Sequence, residues 1–435
     1  MQQSKIPFEL PEEFLLGTAT ASLQIEGGDK NNSWYRWAEE GHIKDGSHCI
    51  IADDHWNRID EDIELMRKLN NKVYRMSLEW SRIEPKKGSF DEAAIDHYRM
   101  ELQKLKDAGI KPLITLHHFS NPLWLEDSGS WLNPEVIELF ERYTEFVVSR
   151  IGDIAGEWIT INEPNVYLLI GYVFGEWPPG RKSITAYFKG AKHMIAAHIK
   201  SYRKIHEIRS KMGYTDTKVG VAFHLRVYDT KSDTMLEKCV RNNIERLTQE
   251  IFVSGMTEGK LIFPVGSGYP LGKGRYFEFF GINYYTRDIV SFAMNPGMMF
   301  AKLEFKKDSP KNDLGWEIYP EGLYRLCKHY YERFGAPIYI TENGTCDNKD
   351  EFRTEYIYNH VFQIKKLIDD GIDVQRYYHW TLLDNFEWIE GLSARFGVIE
   401  VNFDTLERKI KRSGSFYAEL CKNNAVTEEM IKEFL

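Results

Sequence analysis

The sequence lacks the features that would indicate a membrane protein, a disulfide-rich protein or a nucleic-acid-binding protein. No apolar run approaches the ~20 residues of a membrane-spanning helix. The formal net charge is −9, and no stripe of Lys and Arg is present to bind phosphates. The five cysteines are scattered and form no C-x-x-C pair, so neither a disulfide framework nor a zinc site is indicated.

The first residues, MQQSKIPFELPEEF, contain no apolar core of signal-peptide length. Together with the lack of a membrane helix, this composition leads us to expect a cytoplasmic protein. It indicates no nucleic-acid or membrane partner, and it leaves a homo-oligomer open.

The chain has 435 residues, which at roughly 150 residues per domain suggests two or three domains. Barrels depart from this rule, because a (β/α)8 domain with insertions can exceed about 400 residues. Aromatic residues make up 14% of the chain, with 11 Trp and 24 Tyr. Such rings fill cores, and they also provide flat apolar surfaces on which sugars can stack.

Eight short runs rich in Val, Ile, Phe, Tyr and Thr alternate with helical patterns. Strand and helix repeated in this order indicate parallel strands with right-handed crossovers. We therefore predict one (β/α)8 barrel domain over residues 1–435, with loop insertions at its C-terminal face; an open doubly wound sheet is the alternative. The predicted strands are Phe14–Ala21, Lys72–Trp80, Lys111–Phe119, Glu157–Glu163, Lys218–Leu225, Phe277–Thr286, Pro337–Glu342 and Val374–Trp380.

The helical patterns place apolar side chains on one face and charges on the other. One helix is expected to begin at Pro134 with Asn133 as its cap, and another to end before Gly109. The predicted helices are Asp60–Leu69, Asp91–Asp107, Pro134–Arg150, Ala186–Lys211, Asp233–Glu258, Pro320–Phe334 and Glu355–Asp370. The Met-rich stretch Ser291–Lys307 is interpreted either as a flap over the barrel mouth or as a surface hairpin.

Polar and titratable residues lie at the C-terminal ends of the predicted strands, where barrels of this kind build their active sites. Two of them are glutamates at turns: Glu163 in ITINEP and Glu342 in IYITENG, where Gly344 is expected to permit a sharp turn. Glycoside hydrolysis with retention needs two carboxyl groups about 5–5.5 Å apart. Glu163 and Glu342 end the fourth and seventh strands, so their side chains are expected to face each other across the barrel.

These motifs also carry a family resemblance. FLLGTATASLQIEGG, VYRMSLEWSRIEP, ITINEP, GINYYT, GWEIYPEGLY, ITENG, LLDNFEW and RFGV resemble the signature stretches of family 1 glycoside hydrolases, the β-glucosidase family. The resemblance implies a (β/α)8 barrel, retention of configuration and no cofactor. It also implies that Glu163 is the acid/base, that Glu342 is the nucleophile, and that Arg75 and Tyr285 contact Glu342 and hold it ionised.

The resemblance further implies a β-glycosidase that acts on terminal β-D-glucosyl residues, and on galactosyl and fucosyl residues, of small glycosides or short oligosaccharides. Trp316 is a candidate wall on the leaving-group side. His117 is expected to pack outside the barrel, and His224 is interpreted as structural. The sugar-binding residues implied by position are Gln24, His118, Asn162, Asn283, Trp380 and Glu387, with Trp388 beside them.

Two sequence details bear on the substrate. A carboxylate at Glu387 would repel a sugar 6-phosphate, and the following loop, with Ala394 and Phe396, lacks the Lys and Tyr of related phospho-glycosidases. Phe119 and Ser120 stand where many family members have Trp and Asp, which weakens the prediction of glucose specificity.

Three alternatives to a hydrolase remain. The first is a transglycosylating β-glycosidase, which would use the same two carboxyl groups. The second is a non-catalytic sugar-binding barrel, which is disfavoured because both glutamates are present. The third is a metal-dependent barrel enzyme, for which no set of His, Asp and Glu has ligand spacing.

Overall fold

The computed structural model, which describes residues 5–295 and 299–435, contains a closed barrel of eight parallel strands. Each strand pairs with the next along the chain, and the eighth pairs with the first. This confirms the predicted (β/α)8 barrel, because an open doubly wound sheet has two free edges. The strands are Leu15–Ala19 (β1), Val73–Ser77 (β2), Lys111–His117 (β3), Glu157–Asn162 (β4), Lys218–His224 (β5), Phe280–Asn283 (β6), Ile338–Asn343 (β7) and Val374–Trp380 (β8).

Helices connect the strands and cover the outside of the barrel. The α-helices are Ser22–Ile25, Ser33–Glu39, His55–Lys68, Trp80–Ile83, Glu92–Asp107, Leu123–Asp127, Val136–Ile151, Pro164–Leu168, Ile184–Lys211, Met235–Glu245, Ile251–Glu258, Glu321–Phe334, Arg353–Asp369, Arg412–Asn423 and Glu428–Phe434. The described residues also form two π-helical segments, Leu169–Phe174 and Arg246–Glu250, and two 3₁₀ turns, Ser130–Leu132 and Trp388–Glu390. None of the helices in the described part of the chain combines the length and apolar composition needed to cross a bilayer.

Helix ends follow the capping residues in the sequence. The Asp91 carboxylate accepts hydrogen bonds from two backbone N–H groups of the first turn of Glu92–Asp107, and Gly109 follows this helix with a φ of 74°. The prediction for this helix is confirmed. The helix predicted from Pro134 is assigned from Val136, although Glu135 already has helical dihedral angles, and the Asn133 side chain accepts a hydrogen bond from the Glu135 N–H as a cap does.

The stretch Asp233–Glu258 was predicted as a single helix. In the structure it consists of two α-helices, Met235–Glu245 and Ile251–Glu258, joined by the π-helical segment Arg246–Glu250. The Met-rich stretch forms a hairpin in which Ala301–Glu304 pairs antiparallel with Arg287–Phe292. The latter strand also pairs with Val227–Thr230 in a three-stranded sheet. The stretch is therefore a hairpin, with residues 296–298 outside the described part of the chain, and its Leu303 also lines a cavity of the barrel, so the pairing does not decide between a surface hairpin and a flap over the barrel mouth.

Several predicted strands extend too far. The second ends at Ser77 because Trp80–Ile83 starts a short helix, and the sixth covers four residues of the predicted ten. Two further pairs of short strands lie outside the barrel: Phe8–Glu9 with Ala425–Val426, and Ile399–Val401 with Arg408–Ile410.

Candidate active site

A cavity of about 320 Å³ opens at the carboxyl ends of the barrel strands. Glu163, directly after β4, and Glu342, within β7, both line it. The predicted residues that share this lining are His118, Tyr285, Trp316, Trp380, Glu387 and Trp388. Four others lie behind the lining and hydrogen-bond to it: Gln24, Arg75, Asn162 and Asn283. The structure therefore brings the whole predicted set together.

Glu342 is held by two groups, one from β2 and one from the loop after β6. Arg75 Nη1 donates to Oε1 at 2.5 Å, and the Tyr285 hydroxyl donates to Oε2 at 2.7 Å. The guanidinium is itself fixed by Asn162 Oδ1 at 2.6 Å and by the carbonyl of Thr341 at 3.0 Å. A carboxylate with both oxygens anchored in this way has a defined orientation toward the cavity.

The charge on Glu342 is set by opposing effects. Burial raises the pKa of this carboxyl to about 7, the Arg75 guanidinium opposes the rise, and the neighbouring Glu163 adds to it. The contacts that were expected to keep Glu342 ionised are thus present, but burial outweighs them. Glu342 and Glu163 form a close carboxyl pair in which Arg75 favours the negative charge on Glu342.

Gly344 has a different role from the one expected. Its φ does not lie in the left-handed region, so no sharp turn requires glycine there. Instead, a Cβ at this position would lie 1.7 Å from the carbonyl oxygen of Trp380. Glycine is required because β7 and β8 approach each other closely just after Glu342.

Glu163 occupies the first position after β4 with φ 41° and ψ 57°, in the left-handed region that non-glycine residues rarely adopt. Asn283 Nδ2 donates to Glu163 Oε1 at 2.7 Å, and His224 Nδ1 lies 3.3 Å from the same oxygen. The interpretation of His224 as structural is therefore wrong, because its ring lines the cavity beside Glu163. His224 is the last residue of β5, and this position was the available signal.

The part of the cavity at Gln24 and Glu387 is polar, and Gln24 is fully buried. Gln24 Nε2 donates to Glu387 Oε2 at 3.1 Å and to the carbonyl of Phe386 at 2.9 Å. Burial raises the pKa of the Glu387 carboxyl to about 8, and the charge of Glu342 adds to this rise. Gln24 Oε1 is buried and has no hydrogen-bond partner among the described residues. This part of the cavity can therefore accept and donate hydrogen bonds to a polyhydroxylated ligand.

The two adjacent histidines face opposite sides, as strand geometry predicts. His118 Nε2 lies 2.9 Å from Asn162 Nδ2, and its ring stacks near Trp380 and Trp388 at 5.8 and 5.7 Å. Burial lowers the pKa of His118 well below its usual value, so the ring is neutral. His117 instead hydrogen-bonds to Asn121 outside the barrel strands.

An apolar wall of the cavity was not predicted from the sequence. The helix after Glu163 and the π-helical segment that follows it contribute Val166, Leu169, Ile170 and Phe174. Trp177 and Leu303 complete this wall. Trp316 and Phe396 face each other on another side at 6.1 Å, with Tyr285 next to Trp316. In the described residues no group of His, Cys, Asp and Glu is arranged to hold a metal ion.

Glu79, a buried carboxyl behind the cavity, was also missed. Three serine hydroxyls donate to it: Ser22 at 3.1 Å, Ser81 at 2.7 Å and Ser120 at 2.8 Å. Ser22 begins the short helix that carries Gln24, and Ser120 follows His118 and Phe119. Glu79 therefore joins two segments that supply cavity residues, and the unusual Ser120 is one of its partners.

The ionisation of Glu79 predicts a pH-dependent stability. Burial raises the pKa of this carboxyl to about 7, and Asp29 adds to the rise. Between pH 4.5 and 7 the folded state binds a proton that the unfolded state has lost, so stability falls as pH rises through this window. We therefore compare the Tm of Glu79→Gln with that of the unsubstituted protein at each pH. This difference in Tm should rise in favour of the variant by about 3 °C between pH 4.5 and pH 7, because glutamine has no proton to lose. Calorimetry at several pH values measures this difference; the exposed control Glu400→Gln should show none, and a flat difference for Glu79→Gln would contradict the assignment.

Comparison with known proteins identifies related chains. The model of glycosyl hydrolase family 1 matches residues 6–264 and 273–426. Beta-glucosidase A of Thermotoga maritima is 34% identical over 97% of this chain and 99% of its own length. A beta-galactosidase of Pyrococcus woesei is 30% identical over 98% of this chain and 99% of its own length.

Solved structures give the same result. A beta-glycosidase from Pyrococcus horikoshii superimposes with a TM-score of 0.91 and 34% identity, covering 99% of this chain and 98% of that one. The beta-glucosidase from Thermotoga maritima in complex with glucoimidazole superimposes with a TM-score of 0.88 and 31% identity, covering 96% of this chain and 99% of that one. The likeness therefore extends over the whole barrel and its loops.

Proposed function

The chain belongs to glycosyl hydrolase family 1 and is a β-glycosidase, and from this premise we propose that it hydrolyses terminal non-reducing β-D-glucosyl residues with retention of configuration. Glu342 is the nucleophile and Glu163 the acid/base in this proposal. The observation that carries it is that both carboxyls line one cavity while Arg75 and Tyr285 anchor Glu342. The catalytic unit is one barrel domain.

The first step forms a glycosyl-enzyme. Glu342 Oε attacks the anomeric carbon, the bond from that carbon to the leaving oxygen breaks, and Glu163 gives its proton to that oxygen. Arg75 supports this division of roles, because its positive charge favours the ionised form of Glu342. Substrate binding excludes water from the cavity and strengthens this ion pair.

The second step releases the sugar. The covalent bond removes the negative charge from Glu342, so Glu163, now ionised, takes a proton from water. The resulting hydroxide attacks the anomeric carbon from the side that the leaving group occupied, and the Glu342 carboxylate departs. Two inversions give net retention, and both carboxyls return to their starting protonation states.

The sugar unit is recognised at the polar part of the cavity. Gln24 and Glu387 offer a donor and a carboxyl for two neighbouring hydroxyls, and Trp380 offers an aromatic face. A 6-phosphate would bring negative charge to the Glu387 carboxyl, on which the charge of Glu342 already acts. Galactose and fucose have the same hydroxyls as glucose at carbons 2 and 3, and the His118 ring in the cavity lining offers a polar partner for such a hydroxyl, so we include galactosides and fucosides as substrates.

The test compares kcat/KM for the p-nitrophenyl β-glycosides of glucose, galactose, fucose and glucose 6-phosphate. We expect turnover of the three unphosphorylated sugars and at least about 100-fold lower kcat/KM for the 6-phosphate, because the phosphate charge would be taken out of water beside the Glu387 carboxyl without a compensating cation there. Release of β-glucose, followed by ¹H NMR before mutarotation, measures retention. Preference for the 6-phosphate, or first release of the α anomer, would overturn the proposal.

A further inference from the structure

Beyond Glu163, the cavity has a polar patch that the glycosidase reaction described above does not use. It shares the cavity with the apolar residues Val166, Leu169 and Ile170. The patch contains two buried amides from distant parts of the chain, Asn165 and Gln249. In each side-chain amide, one polar atom hydrogen-bonds to the backbone and the other has no partner among the described residues.

The orientation of Gln249 is fixed by its surroundings. Its Oε1 accepts a hydrogen bond from the backbone N–H of Arg226 at 2.6 Å, and only an oxygen can accept there. The amide cannot be flipped, so Nε2 is the group left at the cavity wall. The side chain is 2% exposed, and Nε2 is a buried donor without a protein acceptor.

Asn165 presents the complementary group. Its Nδ2 donates to the backbone carbonyl of His224 at 2.8 Å, which fixes this amide as well and leaves Oδ1 as a buried, unpartnered acceptor. His224 in turn lies 3.3 Å from Glu163. Asn165 is therefore connected through one residue to the carboxyl that protonates the leaving oxygen, which places the pair on the leaving-group side.

We propose that Asn165 and Gln249 form a leaving-group subsite that selects β-glycosides whose leaving group is itself a hydroxylated sugar, over those with an alkyl leaving group. This inference rests on the proposed function. Hydroxyls of such a sugar can donate to Asn165 Oδ1 and accept from Gln249 Nε2, while its C–H face packs on the apolar residues of the same cavity. An alkyl group fills the same space but leaves the buried donor and acceptor unpaired.

The test uses two substrates with the same glucosyl unit and alcohol leaving groups, cellobiose and n-octyl β-glucoside. Both need protonation by Glu163, so the ratio of their kcat/KM values cancels changes in sugar binding and in acid catalysis. We expect the ratio of cellobiose to octyl glucoside to fall at least about 10-fold in Gln249→Met and, independently, in Asn165→Leu. Two separate variants keep the test decisive if one of them does not fold.

The matched control is Thr248→Val. Thr248 lines the same part of the cavity, but its hydroxyl already donates to the carbonyl of Ile244 at 2.8 Å, so the ratio should stay within about 2-fold of the unsubstituted enzyme. Unchanged ratios in Gln249→Met and Asn165→Leu, with normal turnover of p-nitrophenyl β-glucoside by the unsubstituted enzyme, overturn the subsite alone. An unsubstituted enzyme inert on p-nitrophenyl β-glucoside overturns the proposed function and the subsite together.

Discussion

Replacement of Glu342 by glutamine is expected to lower kcat/KM for p-nitrophenyl β-glucoside by at least about 10⁴-fold. An amide has nearly the shape of the carboxylate, so it can still accept a hydrogen bond from Arg75 or Tyr285. It cannot form the glycosyl ester on which the reaction depends. The loss should therefore appear in kcat, with Tm close to that of the unsubstituted enzyme. The exposed control Glu400→Gln should retain full activity.

A second variant, Glu342→Ala, tests whether Glu342 is the nucleophile or only stabilises positive charge on the sugar. In Glu342→Ala the missing carboxyl leaves space on the face from which it attacks. With azide and 2,4-dinitrophenyl β-glucoside, we expect azide to enter from that face and to yield the α-glucosyl azide, identified by NMR. Formation of the β-glucosyl azide would show that another residue is the nucleophile.

The barrel and both glutamates were predictable because they depend on local sequence. Each strand is a short apolar run with a polar residue at its C-terminal end, and parallel strands of a closed barrel bring these ends together. Thus β8 matches its prediction at both ends, and Glu163 and Glu342 line one cavity. Strand ends were less predictable, because the sequence after Ser77 continues apolar although the backbone turns into a helix.

The remaining features depend on contacts between distant segments. Gly344 is required by the carbonyl of Trp380, which belongs to the neighbouring strand. The role of Glu79 depends on serines about 40 and 60 residues away as well as on a close neighbour, and no local pattern identifies that group. His224 lies at the end of a strand, but its contact with Glu163, 61 residues earlier in the chain, follows only from the closed barrel. In each case the sequence contains the residue but not the partner that explains it.

The second large effect is expected for Glu163→Gln, and it should depend on the leaving group. Methyl β-glucoside needs a proton on its leaving oxygen, so its kcat/KM should fall by about 10³-fold or more. The 2,4-dinitrophenolate ion leaves without a proton, so kcat/KM for its β-glucoside should fall less than about 10-fold. A plot of log kcat/KM against leaving-group pKa measures the difference. An equal loss on both substrates would mean that Glu163 acts by positioning the sugar instead of by proton transfer.

The same variant also tests the second half-reaction. Without the carboxylate of Glu163 no base activates water, so the glycosyl-enzyme on Glu342 should accumulate and lower both kcat and KM for 2,4-dinitrophenyl β-glucoside. Azide needs no base, and it should raise kcat and give the β-glucosyl azide. This product is the opposite anomer from that expected for Glu342→Ala, because azide here attacks the intermediate and not the substrate. The two carboxyls that share one cavity are thus distinguished by the configuration of a single product.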